Sequence, residues 1–157
     1  MGPIFSYIFL NDNIYGGVAV KKVFLISMLV LGSVAVRAEG PPMRMVMRML
    51  KQEANNLQQG ILQEDFFQIA QSAEQIASYP ISEEDREKIE RTFGREELAQ
   101  FDEYDEKVRV AAQNIVYESN NGQNMENILL NQQVIIYTCV KCHSQFRKRL
   151  RPVLYRF

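Results

Sequence analysis

From Gln123 to Leu150 apolar side chains return every three or four positions, and Met125, Ile128, Leu129, Ile135, Ile136, Cys139, Cys142, His143, Phe146 and Leu150 form one stripe. Only Gln132 interrupts it. A repeat of this period puts one face of a long helix against a core and leaves the other face in water. Such a helix needs partners with matching stripes, and the chain supplies them. From about Pro42 to Gln59, Met43, Met47, Leu50, Ala54 and Leu57 align, and Gly60 reads as the stop. From about Gln63 to Ser78, Phe66, Ile69, Ala70, Ala73, Ile76 and Ala77 align before Tyr79-Pro80. From about Glu96 to Glu118, Phe101, Tyr104, Val108, Ala111, Ala112 and Ile115 align. Between the second and third lies a short helix opened by Ser82-Glu83-Glu84-Asp85, where the serine can cap free amides and the acids favour the positive helix end. Ser119-Asn120-Asn121-Gly122 reads as a turn. The expected fold is all-α, and four amphipathic helices with short connections pack most simply as an antiparallel four-helix bundle. With 157 residues, 46% of them hydrophobic, the chain has room for one such domain.

The segment before that domain has a different character. Lys21-Lys22 precedes fourteen uncharged, mostly apolar residues, Val23 to Val36, and Val36 and Ala38 are the small residues a signal peptidase reads. The run is shorter than the roughly 20 residues a spanning helix needs. Residues 20–38 therefore read as a cleaved signal peptide, which implies an exported, periplasmic protein with no membrane span after cleavage. Val20 stands directly before the lysine pair, and valine codons of the GTG type can start translation. Residues 1–19 accordingly read as an extension upstream of the true start, and 39–157 as the mature domain.

Of the 18 basic residues, Lys21, Lys22 and Arg37 precede the expected cleavage, as does Asp12 of the 19 acids, leaving a formal charge of −3. Nothing in that balance points to nucleic acid. Glu83 to Glu106 holds 11 acids against 4 bases, whereas five bases and no acid follow His143. Such asymmetry can orient a protein on a charged partner, although it is more often a solvated face.

CVKCH, Cys139 to His143, contains both cysteines and the single histidine of the chain. On a helix, positions i, i+3 and i+4 share a face, so the three side chains point the same way. Two thiols so placed can form thioethers with a haem's vinyl groups, and an imidazole beside the second can reach the iron. A structural zinc usually takes four Cys or His ligands, one more than this chain owns. A redox dithiol normally accompanies a βαβ pattern and leaves His143 idle. A disulfide here would close a tiny loop and constrain the unfolded chain little. Ordinary core packing of all three is the fourth alternative. Covalent attachment of one haem c per chain uses all three side chains and agrees with export.

With the motif at the end of the last of four helices, the chain resembles the class II c-type cytochromes, the cytochrome c′ and cytochrome c-556 group. The resemblance extends through C-V-K-C-H-S-Q-F-R, Cys139 to Arg147. It implies that Cys139 and Cys142 carry the haem, that His143 is the proximal iron ligand, and that Arg147 lies on the proximal side. It also implies that the first helix faces the sixth iron position, where a methionine gives an electron carrier and an apolar residue leaves the iron open to small gases. That helix contains Met43, Met45, Met47 and Met49, of which Met43 and Met47 share the core stripe. Counting back from the expected turn at Gly60 puts the group's ligand position near Arg44, which cannot serve. Met43 or Met47 becomes the ligand only with a shifted register.

The leading expectation is single-electron transfer with redox partner proteins. The alternative is a five-coordinate module binding nitric oxide or carbon monoxide. With no second histidine and no catalytic carboxylate pair, the chain does not read as an enzyme. A homodimer through the first two helices is common in the resembled group, but the face of Arg44, Arg48 and Lys51 is not an obvious interface.

Overall fold

The computed structural model describes residues 40–155, so the expected extension (1–19) and signal peptide (20–38) lie outside the described residues. The described chain is helical: α1 Met43–Gln63, α2 Phe66–Ala77, α3 Glu83–Thr92, α4 Arg95–Tyr117 and α5 Met125–Leu154, with a single π turn at Glu118–Gly122. Among the described residues, no helix is long and apolar enough to cross a membrane.

Local chemistry opens most of these helices. The Asp65 carboxylate accepts from the Gln68 amide at 3.0 Å, Ser82 Oγ from the Asp85 amide at 3.2 Å, and Asn124 Oδ1 from the Asn127 amide at 3.1 Å. Each occupies an otherwise unmet donor of a first turn. α1 starts differently. Its cap residue is Pro42, which has no side-chain hydrogen bond, and the Met43 amide donates instead to Asp85 Oδ2 at 2.6 Å. Asp85 is buried, and Lys88 Nζ stands 3.5 Å from its other oxygen. A carboxylate from α3 thus meets the positive end of α1 and sets that helix's starting register. Replacing Asp85 with Ala leaves a buried amide without its acceptor, and urea titration should show a loss of about 2 to 3 kcal/mol.

Gly60 does not end α1, contrary to the reading from sequence. It is buried within the helix, which continues to Gln63 and closes with Glu64 in the left-handed region at φ 55°. A Cβ at position 60 would stand 3.0 Å from Ile69 Cγ1 and 3.1 Å from the Ile69 amide nitrogen. The glycine serves close approach of α2, which turns back along α1 after Glu64 and Asp65. At the other end of the chain, α5 runs a turn beyond Leu150, through Pro152, because Leu150 and Leu154 are both buried.

α1 packs along α2, α2 along α4, and α4 along α5, whereas α1 and α5 touch only sparsely. Two core clusters result. One joins Leu57, Ile69 and Ile76 to Val108, Ile115, Ile128 and Ile135; the other joins Met43, Val46 and Ile89 to Phe93, Phe101, Phe146 and Leu150. Ion pairs hold the outer faces: Arg86 of α3 bridges to Asp102 of α4 at 2.5 Å, and Arg149 of α5 pairs with Glu97. Most of the acidic run is solvated as expected, with same-helix pairs such as Glu84 with Lys88 and Glu103 with Lys107. Such exposed pairs contribute little individually.

Candidate functional site

Cys139 packs against the first core cluster and Cys142 against the second, so the motif sits where the two clusters part. There α1, α4 and α5 leave a hollow of about 260 Å³. Cys139, Cys142 and His143 line it from α5, Met43, Met47 and Leu50 from α1, and Phe101, Tyr104 and Val108 from α4. An adjoining cleft of about 410 Å³ shares Met43, Met47, Lys51, Phe101, Cys142 and His143, and continues past Arg147 to Leu154. Together they have the size and apolar lining of a site for a flat organic cofactor.

The helical spacing thus brings the three motif side chains to one wall, and α1 presents Met43 and Met47 to the same space. Met43 is buried at 3% exposure, Met47 is half-buried, and Met45 is 58% exposed, so only the first two can act inside. Met49, expected off the core, is half-buried against the second cluster. Arg147 lies one turn beyond His143, exposed, at the edge of the adjoining cleft. Burial against the hollow, and then the Arg147 charge, hold the His143 imidazole below its ordinary pKa and favour the neutral form that can ligate a metal.

Compared with known proteins, the chain matches no family model, no curated protein and no solved structure.

Geometry separates the alternatives raised by CVKCH. The cysteines are free thiols, half-buried. Burial pushes both thiol pKa values up, that of Cys142 to about 12 with help from Cys139 and Asp105. Reactive dithiols need the opposite shift, toward thiolate. Among the described residues, no three His, Cys, Asp or Glu side chains gather to hold a metal ion, so a closed zinc site lacks its ligands. Plain core packing does not account for thiols that face an open hollow.

The hollow also has a polar element that sequence reasoning missed. Tyr79 Oη donates to Asp105 Oδ1, and Asp105 Oδ2 accepts from Arg109 Nε at 2.8 Å. Arg109 donates further to the carbonyls of Ala77 at 3.1 Å and Tyr79 at 2.9 Å, and its guanidinium lies 3.9 Å from the Tyr79 ring centre. Tyr79 and Asp105 both line the hollow, as does the buried Thr138. The spacing of Asp105 and Arg109 was visible as an i, i+4 pair, but Tyr79 read only as a helix terminator. Desolvation, and then the Asp105 charge, raise the Tyr79 phenol far above its ordinary value of 10.0. A folded-state pKa raised in this way adds stability that is present below pH 10 and is lost above it, as the unfolded chain releases a proton the fold must keep. Tyr79→Phe should therefore be less stable than the parent at pH 8, and urea midpoints should show that gap narrowing at pH 11.

Proposed function

We propose that the chain is a mono-haem c-type cytochrome of the class II kind, a four-helix bundle of α1, α2, α4 and α5 that transfers single electrons after export. The observation that carries this reading is the shared wall: Cys139, Cys142 and His143 line one apolar hollow with two methionines of α1. The residues fit the group. Two unpaired thiols are available for thioether bonds, a largely neutral imidazole is next to the second, and the surrounding side chains are mainly apolar. When bound, haem supplies the one-electron chemistry.

The chain's own residues then have distinct tasks. Cys139 and Cys142 would hold the group to α5. His143 Nε2 or Nδ1 would ligate the iron, and Arg147 would set positive charge beside that ligand. Phe101, Tyr104 and Leu50 exclude water, which limits the rearrangement that accompanies a change of charge.

On the far side, Met47 is the better candidate ligand. Both line the hollow, but Met43 is a buried member of the second core cluster, whereas Met47 is only half-buried against it and has the freer side chain. The end of α1 at Gln63, three residues beyond Gly60, also moves the family count by three, from near Arg44 to near Met47.

Absorption spectra of the purified protein, oxidised and reduced, with and without carbon monoxide, test the reading. The expected result is a low-spin spectrum indifferent to carbon monoxide, which Met47→Leu converts to one that responds. A high-spin parent that binds carbon monoxide would replace electron transfer with gas binding. Absence of covalent haem would defeat both.

A further inference from the structure

Four cations surround the open side of His143. Arg147, Lys148 and Arg151 share one face of the last turns of α5, and with His143, Pro152 and Tyr155 they line a surface hollow of about 670 Å³. Lys51 of α1 joins Arg147 and Arg151 on the adjoining cleft. Neither hollow has a carboxylate in its lining. Among the described residues these four cations form no ion pair, while Arg86, Lys88, Arg91, Lys107, Arg109 and Arg149 all do. Arg149, the tail's remaining described base, turns to α4 and pairs with Glu97. Among the described residues Arg48, Arg95 and Lys141 form no ion pair either, but they stand outside both hollows; the four that line them gather on the edge where α1 and α5 separate, which is also where His143 is exposed.

We propose that this edge is a docking surface for an acidic redox protein, held by Lys51, Arg147, Lys148 and Arg151 around His143. The redox character of the partner rests on the function proposed above; the sign of its charge rests on four cations gathered around hollows lined by no carboxylate. Uncompensated charge of one sign around a concave mouth steers an oppositely charged partner and fixes its orientation, with a strong dependence on ionic strength. Here it brings the partner to the edge of the cofactor site, where electron transfer has the least protein to cross. A membrane surface fits less well. Interfacial helices set apolar side chains beside their cations, and the exposed large apolar residues of α5 run from Leu129 to Val140, before the cations begin.

The test uses the full, haem-loaded protein and a strongly acidic two-iron ferredoxin as probe, with affinity measured calorimetrically at low salt. Lys148→Glu with Arg151→Glu should weaken binding by about ten-fold or more, whereas Arg91→Glu with Lys107→Glu, an equal charge change on the α3 and α4 face, should weaken it about two-fold at most. Raising salt to about 0.3 M should abolish most of the parent's binding. Equal losses in both variants, or no binding by the parent, would overturn the proposal. Sedimentation with phosphatidylglycerol vesicles in place of ferredoxin binding would assign the face to a membrane. Self-association lost in Lys148→Glu with Arg151→Glu would assign it to the acidic face of a second copy. Absorbance reports haem separately: a haem-free chain that still binds ferredoxin through Lys148 and Arg151 would sink the functional reading and keep the docking face.

Discussion

On the proposed function, the parent chain made in a host that matures c-type cytochromes should carry haem that survives denaturing electrophoresis, and Cys139→Ser with Cys142→Ser should carry none. The peroxidase stain of the gel band is the measurement. The loss is all or none because each thioether needs its own sulfur, and the chain has no third cysteine to substitute. The variant should still fold, since serine is tolerated at half-buried helix positions at a cost of a few tenths of a kcal/mol per residue in propensity. His143→Ala should behave differently, keeping the haem on the chain with altered spectra, because attachment and ligation use different atoms. A parent that carried haem removable by denaturant would reject covalent attachment while leaving the hollow as a haem site.

The largest loss of stability should follow Phe146→Ala. Phe146 is 1% exposed, and its ring centre stands 4.8 Å from that of Phe93, 5.8 Å from Phe101 and 6.1 Å from Tyr104. Those rings come from α4, α5 and the link between α3 and α4, so no single helix can close the void. Truncating a buried phenylalanine costs about 3 to 5 kcal/mol, and the gain in helix propensity from alanine returns only about 0.5 kcal/mol. Small domains are stable by about 5 to 15 kcal/mol, so the variant should melt roughly 10 to 20 °C lower by calorimetry. Phe146→Leu, which keeps most of the volume, should lose about a third as much. An unchanged melting temperature in Phe146→Ala would mean that the aromatic cluster is not the anchor of this end of the molecule.

Much of the architecture is legible in the sequence. The stripes at three and four residue spacing mark α1, α2, α4 and α5, and the ends where a side chain caps its own helix, as at Ser82, were readable because the donor and acceptor lie within three residues. The common face of Cys139, Cys142 and His143 follows from helical geometry alone. Gly60 was misread because a helical glycine has two uses, ending a helix or admitting a neighbour, and only the position of Ile69 distinguishes them.

What the sequence by itself determined is therefore local and periodic: the helices, most of their starts, and the alignment of three chemically unusual side chains on one of them. What only the tertiary structure decided depends on groups far apart in the chain. Asp85 reaches the Met43 amide across 42 positions, and Tyr79 meets Asp105 across 26. The hollow itself arises because α1 and α5 touch so little, a consequence of how three other helix contacts close rather than of any one segment's pattern. Hydrogen bonds and van der Waals contacts act over a few ångströms, so what stands opposite Cys139, Cys142 and His143 is a property of the packed chain.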